Sequence, residues 1–313
     1  MLKRIGVNLW RIVNTTRKII INLIFLSIIA LFFVALTNDD NEIIIPKKTA
    51  LVLNIKGDIV EQKKEIDPID ALLAEAFNEK EDKPEVLLAD IIKVIEHAKN
   101  DDRVTVLVLQ LQNLNQAGLT KLNDIAQSLT DFKNSGKMII ALGQGYTQAQ
   151  YYLASYADEI WLDPKGWLML DGYGRYKLYY KSAIDKLAIS QHVFKVGTYK
   201  SAIEPYTRDD MSEAAKEANK AWLTDLWGQY KQDVANQRGF SIDNFDEDIN
   251  SLLQKFKTAN GNFAEYALSN DWVDALKTHD EMQTDLIDLV GQNVKIGKKS
   301  VIGSNAIVEH DVI

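Results

Sequence analysis

The chain has 313 residues, of which 46% are hydrophobic and 26% are charged, with no cysteine and a formal net charge of −8. This length is enough to bury a large core, and the lack of cysteine excludes disulfide bonds and thiolate chemistry. The acidic balance also argues against a nucleic-acid partner, because such proteins carry a basic face on the folded body.

The N-terminus is basic and is followed by an apolar run. Residues 1–18 contain five Lys or Arg and no acid, and residues 19–36 have only Asn22 and Ser27 as polar residues. Eighteen helical residues span about 27 Å, close to the thickness of a bilayer core. Because positive residues stay cytoplasmic, we expect a cytoplasmic segment at 1–18, a single transmembrane anchor at 19–36 in the inner (plasma) membrane, and a periplasmic or extracytoplasmic main domain. The alternative is a cleaved signal peptide, but the run is long and lacks a small-x-small cleavage pair.

A polar linker at 37–49 precedes alternating strand and helix patterns. Short aliphatic runs predict buried strands at 50–55, 104–109, 137–142 and 159–162. Gly143 and Gly145 are expected to close the third strand, and Pro164 the fourth. Helical spacing is found at 71–77, from 86 to 95, at 119–132 and at 148–156. This βαβ rhythm predicts an α/β layered domain.

The second half of the domain is predicted to be more helical. A helix at 176–187 and a strand at 192–196 lead into a loop bounded by Gly197 and Pro205. Asp210, with Glu213 three residues later, forms a capping-box pattern at the start of a long helix. The apolar stripe of that helix runs through Ala215, Ala218, Trp222, Leu226 and Tyr230. Two shorter helices are predicted at 249–256 and 263–268.

The last 18 residues follow a different pattern. Residues 296–313 form three consecutive hexads that each begin with an aliphatic residue. They resemble the hexapeptide repeat of left-handed parallel β-helix acyltransferases, but one coil alone cannot bury its apolar face. We therefore expect the tail at 293–313 to lie outside the domain of residues 50–292, with a truncation or sequence junction near residue 292. Chance similarity is the alternative.

Lys200 is the one candidate catalytic residue. The four histidines are scattered, so no metal or other cofactor is predicted, and nucleophile-elbow, Walker and dinucleotide motifs do not occur. A lysine acts as a general base only if its pKa falls from about 10.4 to about 7 or 8, which takes about 4 kcal/mol of burial beside apolar groups. Nearby apolar residues are available as walls, whereas Glu204 would have to point away. Ser201 is a poor partner because adjacent side chains diverge, and from these residues alone a solvated surface lysine is the more common interpretation.

Three stretches carry a family resemblance: residues 150–155, 192–205 and 208–212. They resemble the long form of the signal peptide peptidase A family, and the likeness covers roughly residues 5–290, including the anchor. The resemblance implies a ClpP/crotonase-like α/β fold in two similar repeats and a Ser-Lys dyad, with Lys200 as the general base and the serine in the second repeat. It further implies a homo-oligomer that acts on cleaved signal peptides or other membrane-proximal peptides.

The chain departs from the family pattern at the nucleophile. Ala149 stands at the matching position of this repeat, and the second repeat is absent. No nucleophile is therefore assigned in this chain, which we expect to be inactive alone. One alternative is a non-catalytic membrane-bound scaffold or binding subunit; an acyltransferase fusion is a weaker one.

Overall fold

The structure is a computed structural model and describes residues 2–37, 48–64, 84–290, 300–302 and 306–308. It divides into two compact units, residues 1–44 and 45–313. Three sequence predictions lie wholly or largely outside the described residues: the linker at 37–49, the helix at 71–77 and the hexad tail at 293–313.

The first unit contains one long helix, α1 (Leu2–Thr37), of 36 residues. Its stretch Val13–Leu31 is long and apolar enough to cross a membrane. Large apolar side chains of this stretch, including Ile21 and Phe25, are exposed. The predicted apolar helix that precedes the layered domain in the sequence is therefore present, and the span Val13–Leu31 overlaps the predicted anchor at 19–36.

The second unit alternates strands and helices, as predicted. Its strands are β1 (Thr49–Asn54), β2 (Gly57–Val60), β3 (Glu85–Leu87), β4 (Val104–Gln110), β5 (Leu114–Gln116), β6 (Met138–Tyr146), β7 (Glu159–Leu168) and β8 (Ala275–Leu276). Five of them form a parallel sheet in the order β1-β4-β6-β7-β8, and the other three form a smaller parallel sheet, β3-β2-β5. The α/β class predicted from the sequence is confirmed.

The helices of this unit fall into two groups. Three follow the sheet strands: α2 (Leu88–Asn100), α3 (Leu119–Asn134) and α4 (Gln148–Ala154). The later ones are α5 (Lys181–Lys186), α6 (Glu204–Thr207), α7 (Glu213–Arg238), α8 (Ile249–Thr258), α9 (Phe263–Ser269) and α10 (His279–Val290), with a 3-10 turn at Ile242–Phe245. Two short strands, β9 (Ser300–Ile302) and β10 (Ala306–Val308), pair antiparallel.

Strand alternation divides the core between the two faces of the large sheet. Leu107 and Leu109 belong to the larger core cluster, which includes residues of α2, α3, α4, α7 and α9. Val106 and Val108 belong to a smaller cluster, which Met282 of α10 joins. Successive side chains of a strand point to opposite faces, so the continuous apolar run of β4 is explained by cover on both sides.

Two strands run past the residues expected to end them. β6 continues through Gly143 and Gly145, and β7 continues through Pro164. A Cβ atom on Gly145 would lie 2.5 Å from the indole of Trp167, so this glycine makes room for an aromatic ring. The pairing register shifts between Gly143 and Gly145, which is the kind of irregularity that lets a sheet accept a proline.

The region after β7 is less regular than predicted. The helix expected at 176–187 is reduced to α5, and residues 192–196 form no strand. Val193, Phe194 and Val196 are all exposed. Apolar β-branched residues favour a strand only where a neighbouring strand pairs with them, and no strand of the described residues does so here.

Candidate active site

The loop that carries Lys200 is a tight turn leading into α6. Gly197 has a φ of +104°, a value that disfavours any residue with a Cβ. The backbone N–H of Lys200 donates to the carbonyl of Gly197 (3.5 Å) and that of Glu204 to the carbonyl of Ser201 (3.1 Å). The Lys200 side chain is exposed, and its ammonium has no hydrogen-bond or ion-pair partner among the described residues.

A buried carboxylate fixes the C-terminal side of this loop. Glu204 is only 3% exposed; it accepts hydrogen bonds from the hydroxyl (2.6 Å) and the backbone N–H (3.1 Å) of Ser212. Lys195 Nζ lies 4.0 Å from the same carboxylate. Burial acts to raise the pKa of Glu204, but the Ser212 hydrogen bonds and the nearby cations Lys195 and Arg208 outweigh it and lower that pKa. The carboxylate is thus engaged with Ser212 and Lys195, not with Lys200.

Ser212 also caps the long helix α7, a role that the sequence pattern assigned to Asp210. The Ser212 hydroxyl accepts from the backbone N–H of Ala215 (3.2 Å) while donating to Glu204. Asp210 is exposed and instead pairs with Arg208 at 3.0 Å. The predicted capping box was wrong by two residues because Ser212 is itself a good N-cap residue; this feature is visible in the sequence, but its partner Glu204 is not.

Further contacts attach the Lys200 loop to its surroundings. The Tyr199 hydroxyl donates to Glu217 at 3.2 Å. The backbone N–H of Tyr180 donates to the carbonyl of Pro205 at 2.6 Å, and the rings of Tyr180 and Tyr206 stack with centroids 6.1 Å apart. The loop backbone is therefore held by side chains and turns rather than by a strand.

Ala149 lies in the first turn of α4, directly after the carboxyl end of β6. Gln150 accepts from the backbone N–H of Thr147 (2.9 Å) and donates to the carbonyl of Leu114 (2.8 Å). Ala149 is half-buried against the larger core cluster. Its methyl group has no atom able to attack a carbonyl.

Helix α7 contacts residues near both candidates, Lys200 and Ala149, but these two contacts are far apart along the helix. Its N-cap Ser212 binds Glu204 of the Lys200 loop, and the hydroxyl of Tyr230 donates to the carbonyl of Gln148 at 2.9 Å. Eighteen residues of helix separate these two points, which is about 27 Å. Within the described part of the chain, no serine hydroxyl forms a hydrogen bond with Lys200, and no group of three or more His, Asp or Glu is placed to hold a metal ion.

These features define an α/β protein with an exposed lysine on a hydrogen-bonded turn. Comparison with known proteins identifies its family. Residues 131–293 match peptidase family S49, a range that includes Ala149 and Lys200. The chain belongs to peptidase family S49.

Curated relatives agree with this assignment. The chain is 37% identical to Protease 4 of Salmonella typhi over 90% of its own length and 46% of the relative's. It is 31% identical to Protease 4 of Haemophilus influenzae, over 94% of this chain and 48% of the relative. The resemblance to the signal peptide peptidase A family is confirmed, and the chain spans about half the length of these relatives.

Solved structures share a distant likeness. A membrane-bound stomatin-specific protease in complex with a substrate peptide is 15% identical with a TM-score of 0.36, over 80% of this chain and 88% of that one. An enoyl-CoA hydratase/isomerase family protein from Silicibacter pomeroyi is 16% identical with a TM-score of 0.24, over 58% of this chain and 87% of that one.

Proposed function

We propose that this chain is the base-bearing half of a membrane-anchored serine endopeptidase that degrades cleaved signal peptides and other membrane-proximal peptides. Membership of peptidase family S49 supports peptide hydrolysis. The apolar stretch of α1 supports a single-pass anchor, with the N-terminus cytoplasmic and the main domain outside the inner membrane.

The catalytic step assigned to Lys200 is proton transfer. The neutral amine takes the proton of a serine hydroxyl as the oxygen attacks the scissile carbonyl, and the resulting ammonium returns it to the leaving amine. Two observations support this assignment: Glu204 is engaged with Ser212, and the Lys200 ammonium is unpaired in the described chain. A carboxylate next to the lysine would instead favour its charged form.

The exposure of Lys200 is the main observation in support of an incomplete site. A lysine base needs burial away from water, and this chain leaves the side chain exposed. Together with Ala149 at the proposed nucleophile position, this exposure supports a site in which a second repeat supplies both the cover of Lys200 and the serine. A homo-oligomer is part of the same proposal, and the chain alone is inactive.

A reconstitution assay tests this proposal. Cleavage of casein and of a synthetic signal peptide is measured for the chain alone and after addition of a second repeat from a full-length relative. We expect no turnover from the chain alone, turnover from the mixture, and loss of about 10³-fold or more with Lys200→Ala. Lys220→Ala, which changes an exposed lysine of α7, is the matched control. Turnover by the chain alone would overturn the missing-nucleophile assignment.

The alternative function is a non-catalytic membrane-bound scaffold or binding subunit. It predicts no turnover from the mixture and no effect of Lys200→Ala on whatever partner binding is observed. Sequencing the locus across codon 292 is a second way to distinguish the peptidase from the scaffold. An in-frame second repeat downstream would identify residues 293–313 as a junction and would favour the peptidase.

A further inference from the structure

Residues 175–199 stand out in both composition and exposure, and we call them the basic aromatic segment. They contain five Lys or Arg and one Asp, a formal charge of +4 in a chain whose net charge is −8. Nine large apolar or aromatic side chains of the segment are exposed: Tyr176, Leu178, Tyr180, Leu187, Ile189, Val193, Phe194, Val196 and Tyr199. Three of these are almost fully exposed, with Tyr176 at 96%, Phe194 at 98% and Val196 at 85%.

Such a surface is too apolar to be left in water without a partner. Soluble proteins rarely expose contiguous apolar patches of this kind unless another surface covers them. The segment is nevertheless held in place: Arg175 donates to Asn219 at 2.9 Å, and Ser182 donates to Asp209 at 2.8 Å. The basic aromatic segment is therefore attached to the rest of the second unit by hydrogen bonds, while its apolar side chains are exposed to solvent.

The charges decide which partner fits. Lysine is depleted in protein–protein interfaces, where charge is costly to bury, whereas this segment has a Lys or Arg between its apolar groups along much of its length. Lys177 and Lys186 have no carboxylate partner among the described residues. Interleaved lysines, tyrosines and aliphatic side chains are typical of the bilayer interface, where the apolar parts enter the headgroup region and the ammonium groups meet anionic phosphates.

We propose that the basic aromatic segment docks the second unit on the surface of a bilayer containing anionic lipid. The segment ends one residue before Lys200, so docking sets the candidate base at the membrane surface. The inference rests on exposure and charge, and it holds whether or not Lys200 acts as a base.

Spin labels test this in the full chain, which has no native cysteine. Phe194→Cys carries the label, and Ile249→Cys, at an exposed apolar position of α8, is the matched control. The chain is reconstituted at one copy per nanodisc, with purely zwitterionic lipid or with added anionic lipid. We expect the label at 194, and not at 249, to become more accessible to oxygen and less accessible to an aqueous nickel chelate when anionic lipid is present.

The charge dependence gives a second measure. Each lysine near an anionic surface is worth about fivefold in the docked-to-undocked ratio, so Lys177→Gln with Lys186→Gln is expected to lower that ratio about 30-fold. Added salt should act in the same direction. A label at 194 that stays equally water-accessible in both lipids overturns the proposal. Protection that instead grows with protein concentration in detergent also overturns it, because it assigns the surface to a second copy of the chain.

Discussion

The contact between Glu204 and Ser212 predicts a specific coupling in stability. Ser212→Ala removes the N-cap of α7, which costs about 1 kcal/mol. It also removes a charge-assisted hydrogen bond of about 1.5–3 kcal/mol to a buried carboxylate. We therefore expect a loss of about 3 kcal/mol in the free energy of unfolding of the second unit. Ser190→Ala, at an exposed serine, is the control and should change stability by less than about 0.5 kcal/mol.

A double-mutant cycle isolates the contact itself. Urea unfolding in mild detergent, followed by tryptophan fluorescence, is measured for Ser212→Ala, Glu204→Ala and the double variant. Because either single change already breaks the contact, the double variant should be more stable than the sum of the two losses predicts, by about 1–2 kcal/mol. If the two losses add within about 0.5 kcal/mol, the contact does not hold the loop and the reasoning fails.

The same pair predicts a dependence on acid. The folded state lowers the pKa of Glu204 below its ordinary value of 4.5, through Ser212, Lys195 and Arg208. The stability that this carboxylate contributes is therefore fully present above pH 4.5 and is lost as the pH falls through the folded pKa below it. Unfolding curves from pH 7 to pH 3 should show this loss in the wild type and a smaller one in Glu204→Ala.

Three further substitutions test the packing. Tyr152→Phe should cost about 1–2 kcal/mol, because the Tyr152 hydroxyl donates to Asp233 at 2.7 Å; urea unfolding measures it. Gly145→Ala should lower the free energy of unfolding by about 2 kcal/mol, a typical cost of overpacking, because the added Cβ would lie 2.5 Å from the Trp167 indole. Gly228→Ala, on α7 with no atom within 4 Å of the added Cβ, should instead stabilise by about 0.5–1 kcal/mol; a loss there would contradict the helix assignment.

Local patterns in the sequence were sufficient to predict four of the five strands of the large sheet, but not β8 or the smaller sheet β3-β2-β5. The runs at 50–55, 104–109 and 137–142 lie within or next to β1, β4 and β6, because a strand covered on both faces is a short continuous apolar run. Glycine and proline were weaker guides. Gly145 lies inside β6 because it accommodates Trp167, a contact with a residue 22 positions away that no local pattern contains.

The candidate site depends more on long-range contacts. Lys200 was identified through the family resemblance, and its catalytic role remains a proposal. Glu204 was expected only to point away from Lys200; its burial against Ser212 became visible in three dimensions. The strand predicted at 192–196 was wrong because the pattern has no information on whether a pairing strand exists. The same limitation hid the exposure of Phe194, which lies in that stretch.

The cover of the sheet by α10 has a consequence for synthesis of the chain. Val52, Val108 and Ile140 lie on one face of the large sheet and belong to the smaller core cluster. Helix α10 packs on this face through Met282, Leu286 and Val290. A ribosome completes β1, β4, β6 and β7 more than 100 residues before it releases that helix. The nascent chain therefore carries an open apolar sheet face through much of its elongation, a state prone to aggregation that a chaperone able to bind flat apolar surfaces would protect.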